Sequence, residues 1–506
     1  MDRLEALLKQ YFGYTSFRPG QAGLIEAVLN GRDVLGILPT GGGKSVCYQL
    51  PALLLPGLTI VISPLISLMH DQVDALNRRG IGAAAVTSEM PEAAQRRLFD
   101  ALIRQYPAGR ASAASGTKSG SVRLLYISPE RLETRAFTAF ASAVRISLVC
   151  IDEAHCISHW GAEFRPAYLK IRSFLESLPV RPVAAAYTAT AAPRVRSDII
   201  RLSGLINPHL FIAPFDRPNL YYEVRHPSEK WRDLLRLLSS YRGMSGIIYC
   251  LTRRSVDHLA WRLSGEGIRA ARYHAGMDED ERAANQGKWL SGELPLMVAT
   301  NAFGMGIDKP DVRFVIHYQM PGCIENYYQE AGRAGRDGKR SDCILLYSDE
   351  DVRINGFFID RIRSLPLQAS MRLKLDEMRR YSGGKECLRA CLMRYFGDER
   401  VPAAQSCGRC SVCLKIRHRS EMPALQPGTE DPGLYRSLTA LRHRLAKKRG
   451  IPAYRIFSDE ALHDLSSLRP GRMTELLFME RVPVVRAIQY GADFLTEIRA
   501  WNASHR

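Results

Sequence analysis

The chain has no uninterrupted apolar run of the roughly 18 residues that a membrane helix needs, although 46% of its 506 residues are hydrophobic. That argues against a helical membrane protein. No leader is expected either. The opening "MDRLEALLKQYFGY" reads as an amphipathic helix, without the charged start, apolar middle and small-residue cleavage site of a secretory signal. Cysteine is scarce: of 11 in the chain, six stand singly before residue 350. Such spacing excludes a disulfide-framed fold, so a cytoplasmic protein is expected. Acid is also short, with 52 Asp and Glu against 70 Lys and Arg, a formal charge of +18. Residues 361–420 hold fourteen basic and five acidic residues, half of that excess. A surplus of this size suits a polyanion, most often nucleic acid; the plainer reading is a solvated surface.

What is present is a long alternation. Apolar runs such as "VLGIL" (34–38), "LTIVIS" (58–63), "VRLLYIS" (122–128), "ISLVCID" (146–152) and "VAAAYTAT" (183–190) are separated by helical patterns. A second group comes after them: "GIIYC" (246–250), "LMVAT" (296–300), "VRFVIHY" (312–318) and "CILLYS" (343–348). Apolar strands between helices predict parallel sheets covered on both faces, hence an α/β class with two lobes. "GLINPHLFIAPFDRPN" (204–219) reads as the boundary. The expected units are lobe 1 (1–205), lobe 2 (206–350), a basic cysteine-bearing module (351–418), a linker (419–433) and a small all-helical domain (434–500). In that last unit Leu438, Leu441 and Leu445 share a helical face, Gly450 stops the helix, and Ser458 caps the next. "PAGRASAASGTKSGS" (107–121) reads as a flexible surface loop.

The chemistry begins where "VLGIL" runs into "PTGGGKS" and an apolar helix. Thr40, Gly41, Gly42 and Gly43 form a turn whose backbone N–H groups face phosphates; Lys44 reaches the β/γ-phosphates and Ser45 binds Mg²⁺. The strict phosphate-loop pattern wants glycine at 38, where this chain has Leu38. "SLVCI" then ends in "DEAH" (152–155). Asp152, at a strand's C-terminal end, is placed to hold Mg²⁺, and Glu153 to orient or deprotonate the attacking water. In "YYQEAGRAGRDG" (327–338), Arg333 and Arg336 are three apart, so on a helical turn they share a face. Opposite a phosphate loop they read as arginine fingers, and otherwise as a basic surface helix. A phosphate loop on one lobe and arginines on the other imply a motor whose cleft ATP closes.

"CLRACLMRYFGDERVPAAQSCGRCSVC" holds the other five cysteines. Cys407, Cys410 and Cys413 have the C-x₂-C-x₂-C spacing that offers three thiolates to one tetrahedral Zn²⁺. The fourth ligand is Cys387 or Cys391, which sit one helical turn apart, and periodicity cannot choose between them. An iron–sulfur cluster is the alternative use of four such thiolates. Directly after "DEAH" comes "CISHWGAEFRPAY" (156–168). Trp160 and Phe164 can stack on bases, with Arg165 adjacent for phosphate; core packing is the bland alternative.

These motifs, in this order, resemble the RecQ family of superfamily 2 helicases over about residues 5–415 and again at the C-terminus. The resemblance implies two RecA-like lobes and an aromatic-rich loop at 156–168. It implies adenine recognition by Arg18 and Gln21 in "FGYTSFRPGQ" (12–21), with Tyr14 as a stacking partner. "SPLISLMHDQV" (63–73), "YTATA" (187–191) and "GIIYCLTRRSVD" (246–257) resemble further family motifs. In "ATNAFGMGIDKPDVRFVIH" (299–317), Asp308 then lies near the ribose and Thr300 near the DNA backbone; Gln329 belongs with the arginines. The family pattern selects Cys387 as fourth zinc ligand and leaves Cys391 a small buried spare. The resemblance implies an ATP-dependent helicase that uses ATP, Mg²⁺ and Zn²⁺ and moves 3′→5′ on single-stranded DNA. It would unwind tailed, branched or junction DNA in recombination, repair or replication. No membrane is implied, and residues 434–500, which are HRDC-like, are open to protein partners. Two departures stand out. The winged-helix domain found in many relatives has no room between Cys413 and Leu434. A turn that often reads Gly-Val-Gly is Arg481-Val482-Pro483. The lost winged helix keeps one rival open, a structure-specific DNA-dependent ATPase that clamps or translocates but unwinds weakly. The second, an RNA helicase, is open because "DEAH" and the two lobes are shared with that group; the aromatic loop and zinc module argue against it.

Overall fold

Short runs that are almost wholly apolar become strands buried at every position, as β1 (Val34–Ile37) and β2 (Leu58–Ile62) do; a parallel sheet with helices on both faces buries its strands that way. The computed structural model describes residues 2–39, 41–108, 121–161, 163–304, 309–398, 407–414, 430–471, 473–479, 481–482 and 484–504. Thr40, Asp308 and most of the stretches read as loop (107–121) and linker (419–433) lie outside the described residues.

The first sheet adds β3 (Gly82–Val86), β4 (Val122–Ile127), β5 (Ile146–Ile151), β6 (Val183–Thr188) and β7 (His209–Ile212), in the order β3-β4-β2-β5-β6-β1-β7. All its pairings are parallel. The second sheet contains β8 (Leu220–Arg225), β9 (Ser245–Tyr249), β10 (Ala270–Tyr273), β11 (Leu296–Ala299), β12 (Val312–His317) and β13 (Ser341–Leu346). Its order is β10-β11-β9-β12-β13-β8, again parallel. The expected two-lobed α/β fold is therefore present. One boundary differs. β7 pairs with β1, from Val34 opposite His209 to Ile37 opposite Ile212, so a division at residue 206 cuts inside the first lobe.

After β13 come the helices Asp349–Asp360, Leu365–Ser382 and Leu388–Tyr395. The first is set by a capping box between Ser348 and Asp351, which satisfies two otherwise unpaired N-terminal amides. This module is fixed to the second sheet at β8. Ser411 N donates to Tyr222 O at 3.0 Å, and the buried Arg389 pairs with Asp216. The last unit is helical: Pro432–Arg449, Asp459–Leu468, Met473–Phe478 and Val484–Ser504. Its first helix starts inside the stretch read as linker, because Asp431 accepts hydrogen bonds from Gly433 N and Leu434 N. Gly450 ends that helix at φ 64°, and Ser458 caps the next by accepting from Ala461 N. Leu434, Leu438, Leu462, Leu465, Phe457 and Phe494 form its core.

Candidate nucleotide site, aromatic loop and metal centre

The loop after β1 turns sharply: Gly42 N donates to Pro39 O at 2.8 Å and Val46 N to Gly43 O at 3.2 Å. The helix Val46–Leu54 comes next, with Ser45 at its N-cap, so the positive end of the helix dipole faces the loop. Leu38, where the strict pattern has glycine, is 2% exposed and belongs to the core. Its amide continues the ladder to Thr188 O at 3.0 Å. Arg18 and Gln21 grip the loop from behind. Arg18 Nη1 donates to Gly41 O, and Gln21 Nε2 lies 3.0 Å from Gly43 O and 3.3 Å from Gly42 O. Gly43 has φ +78°, and a β-carbon there would sit 2.4 Å from Gln21 Nε2. Only glycine suits both constraints.

Asp152 and Glu153 come directly after β5, two strands from β1 in the same sheet. Asp152 is held by its backbone: its N donates to Ile62 O at 2.9 Å, and its carbonyl accepts from Tyr168 OH at 2.9 Å. Glu153 sits in the left-handed region at φ 45°, a strained geometry that cores must enforce. It aims its carboxylate at Lys44 Nζ, 3.6 Å away, and at His155 Nδ1, 3.3 Å away. Burial, then the Glu153 charge, pushes Asp152 up to about 6. Burial opposes ionisation of Glu153 as well, but Lys44 and then His155 hold it down to about 2. A buried carboxyl forced upward beside a free anion is relieved by a divalent cation. Asp152 and Ser45, both lining the cavity, are oxygen donors of the kind Mg²⁺ takes.

Across the cleft, the second lobe supplies Gln329, Arg333 and Arg336. Together with Lys44, Ser45, Asp152 and Glu153 they line one cavity of about 290 Å³, with Tyr14, Arg18 and Gln21 at its edge. Gln329 Nε2 donates to Thr190 Oγ1 at 2.9 Å. Thr190 is linked to Thr188, whose Oγ1 donates to Thr190 O at 3.1 Å, and Thr188 Oγ1 lies 2.8 Å from His155 Nδ1. A polar chain thus runs from Glu153 to Gln329. "YTATA" and "DEAH" stand out in the sequence as motifs, but sequence reasoning singles out neither threonine nor His155. The available signal is the i, i+2 spacing of Thr188, the last residue of β6, and Thr190 just past it, which puts both on one side of the chain. Arg333, 8% exposed, donates to Gly304 O. Arg336 lies so near Gly41 that a β-carbon there would touch Arg336 Cδ at 3.5 Å. The expected shared helix face is corrected: the helix Ile324–Ala331 ends before both arginines, and they stand in a turn with Gly335 at φ +57°.

The aromatic loop folds back beneath the acids. Gly161 N donates to Ser158 O at 2.9 Å, and a β-carbon on Gly161 would lie 2.0 Å from His155 O. Each expected DNA contact has a protein partner in this structure. The Arg194 guanidinium lies 3.7 Å over the half-buried Trp160 ring, and Phe164 stacks on His159 at 3.8 Å. Arg165 donates to Pro64 O at 2.7 Å and pairs with Glu163 at 3.0 Å. Thr300 stands just past β11, is 7% exposed and has its amide on Tyr273 O at 3.2 Å.

Cys387, Cys407, Cys410 and Cys413 bring their sulfurs within 4.8 Å of one another. Zn–S bonds of about 2.3 Å in a tetrahedron place sulfurs about 3.8 Å apart. The pairs Cys407–Cys413 and Cys410–Cys387 stand at 3.9 and 4.0 Å and no pair exceeds 4.8 Å, so the four fit Zn²⁺ with shifts of no more than about 1 Å. Cys387 is the N-cap of the helix Leu388–Tyr395. Cys391 lies inside that helix with its sulfur 3.7 Å from Glu386 Oε2. As expected of a spare it packs against the core, but it is half-buried and not fully buried.

Two parallel-sheet lobes closing a phosphate loop, paired acids and arginines into one cavity define a nucleoside-triphosphate-driven motor of the helicase class. The comparisons with known proteins narrow this. Residues 18–199 match the DEAD/DEAH box helicase model and 229–338 the helicase conserved C-terminal domain. Residues 349–414 match the RecQ zinc-binding model and 431–498 the HRDC domain. The chain is 34% identical to ATP-dependent DNA helicase RecQ of Bacillus subtilis, with 99% of each covered. It is 41% identical to that of Haemophilus influenzae, covering 81% of this chain and 63% of the relative. The chain belongs to the RecQ family of ATP-dependent DNA helicases. Among solved structures, yeast Dbp5 bound to RNA and ADP BeF3 shares the fold, with TM-score 0.54 and 17% identity over 78% of this chain and 93% of that one. The Bacillus alignment spans 600 positions, more than this chain's 506 residues, so the relative has sequence that this chain lacks. Only residues 415–430 separate the zinc-binding and HRDC matches. Among the described residues no helix is long and apolar enough to cross a membrane.

Proposed function

We propose that the chain moves 3′→5′ on single-stranded DNA and separates tailed or branched duplexes, in the cytoplasm or on a bacterial nucleoid. The observation that carries this is the shared cavity, where Gln329 of one lobe bonds Thr190 of the other and both lobes contribute charged groups. Lys44 binds the β/γ-phosphates at the helix N-terminus. Mg²⁺, held by Ser45 and Asp152, would neutralise charge on the transferring phosphoryl group. Glu153, kept ionised by Lys44 and His155, orients and deprotonates the attacking water. Arg333 and Arg336 stabilise the developing charge, an effect worth roughly 10³–10⁵ in rate in related systems. Arg18 and Gln21 take the base at the cavity edge, with Asp308 near the ribose. Hydrolysis removes the anion that both lobes share, so the cleft loosens and the lobes step.

Trp160, Phe164, Arg165 and Thr300 form the DNA-facing set. DNA has to displace Arg194 or His159 to reach the ring faces, which links its arrival to movement beside the catalytic acids. With no winged helix between residues 414 and 431, the duplex is held by the basic zinc module and the HRDC unit, which is also open to protein partners. The test is strand separation and ATPase on matched 3′-tailed DNA and RNA. Separation of DNA with ATP is expected. Equal or faster separation of RNA would overturn the DNA assignment, and ATPase without separation would favour a clamp.

A further inference from the structure

One buried cation in the zinc-bearing module touches three parts of the molecule. Lys374, in the helix Leu365–Ser382, is 2% exposed. Its ammonium donates to Gly161 O in the aromatic loop and lies 3.1 Å from Glu325 Oε1; Glu325 is also 2% exposed. One turn earlier in the same helix, Ser370 Oγ donates to His159 O at 3.1 Å. Glu325 opens the helix Ile324–Ala331, and Gln329 stands one turn later on the same face. That helix leads into Arg333 and Arg336. An ion pair is a poor choice for packing alone, since apolar side chains of similar volume do as well or better in a buried site. The loop also has room to move. A cavity of about 870 Å³ beside it is lined by Trp160, Arg194, Leu373, Arg380 and Tyr395, with Lys374 at its wall.

We propose that Lys374 is a positioning residue that ties the aromatic loop of the first lobe to the Gln329 helix of the second. Seating of single-stranded DNA on the loop then sets Gln329 and the arginines against the nucleotide. The inference rests on the reading of Trp160 as a DNA contact. When a base displaces Arg194 from the Trp160 ring, the neighbouring Gly161 carbonyl shifts. Lys374 either moves with it or lets it go. In both cases the force on Glu325 changes, and a helix of 8 residues carries that change to Gln329 as a unit.

The test uses the full zinc-loaded chain in three forms besides wild type: Trp160→Ala, the apolar pair Lys374→Met with Glu325→Leu, and Glu325→Gln. The last keeps the shape and remains informative if the apolar pair is unstable. The readouts are basal ATPase, ATPase against single-stranded oligonucleotide concentration, and oligonucleotide affinity by anisotropy. For the apolar pair and for Glu325→Gln, basal rate and affinity are expected to be unchanged. The half-saturating oligonucleotide concentration is also expected to hold, while the maximal stimulated rate falls about tenfold. A merely structural pair would not split rate from affinity in this way. If Trp160→Ala loses stimulation while both Lys374–Glu325 variants keep it, the inference is overturned and the reading of the loop stands. If Trp160→Ala keeps full stimulation, the reading of the loop fails and the inference with it.

Discussion

Replacing Cys387 by alanine should release zinc, whereas replacing Cys391, four residues on, should not. The two share one helical turn, since Cys391 N donates to Cys387 O at 3.0 Å. Cys387 also caps the helix by accepting from Ala390 N, so its loss removes a cap as well as a ligand, and metal content is the readout that separates the two roles. Cys387 completes the four-sulfur set. Structural zinc contributes on the order of 10–16 kcal/mol in small peptide sites, or roughly 2.5–4 kcal/mol per thiolate if shared evenly. One missing ligand then costs about a hundredfold or more in zinc affinity. It also frees the loop 407–414 from the helix Leu388–Tyr395, leaving Ser411 N on Tyr222 O as its backbone tie to β8. Cys391 is half-buried, packs at the margin of the core and touches the Glu386 carboxylate, so its loss should cost about 1 kcal/mol. The assay is metal content after dialysis against a weak chelator, with limited proteolysis as a second readout. Wild type and Cys391→Ala should keep one zinc per chain. Cys387→Ala should lose it and become sensitive to cleavage near residue 415. Retention by Cys387→Ala with loss from Cys391→Ala would refute the ligand assignment.

Lys44→Ala should abolish ATP hydrolysis while leaving single-strand binding largely intact, because phosphates and DNA are gripped by separate surfaces; substantial DNA-stimulated turnover would remove Lys44 from the site. In Gly161→Ala the added carbon meets the His155 carbonyl at 2.0 Å, so the aromatic loop must move. DNA stimulation should fall while DNA-free turnover stays, and an unchanged stimulation curve would show the loop to be indifferent to its seat. Thr190→Val removes the acceptor of the cross-lobe bond from Gln329. A neutral hydrogen bond is worth about 1 kcal/mol, so the stimulated rate should drop about fivefold, and a wild-type rate would disconnect that bond from turnover. Without a winged helix, strand opening at roughly 1.4 kcal/mol per base step depends on trapping frayed bases, so unwinding should slow as GC content rises. GC-independent rates, together with tight, salt-resistant binding to blunt duplex, would mean that another element replaces the wing.

Much of the fold is legible because burial on both faces leaves no polar alternation to misread. β2, β4, β5, β9 and β12 all announce themselves as predominantly apolar runs, each with only one or two polar residues. Of the strands that escape sequence reading, β8 is "LYYEVR", half-polar at the edge of the second sheet, and three others have weaker signatures still. β3 is "GAAAV" and β10 is "AARY", small or half-polar segments at sheet edges. β7 is "HLFI", incompletely buried on the opposite edge of the first sheet. An edge strand has one neighbour, and that neighbour decides its pairing. For β7 the decision belongs to β1, which is why residues 204–219 look like a boundary when part of them closes the first lobe.

The site is legible where a local backbone demand dictates residue type and illegible where a partner arrives from far along the chain. Gly43 has to be glycine for its own turn, and the four cysteines have to be close for one ion. Nothing near Thr190 points to Gln329, 139 residues away, and nothing near Gly161 points to Lys374, 213 residues away. The shared helix face expected of Arg333 and Arg336 is a misreading with a local remedy. Gly332, Gly335 and Gly338 each disfavour helix by about 1 kcal/mol, so three glycines in seven residues argue for a turn from composition alone. The choice between Cys387 and Cys391 also has a local reason that periodicity hides. Two residues four apart inside a helix point the same way, but Cys387 is the cap, with φ −53° and ψ 114°. An N-cap residue lies outside helical dihedrals, and its side chain turns back over the helix start. From there the Cys387 sulfur lies 4.0 Å from that of Cys410, while Cys391, held in the helix, faces Glu386.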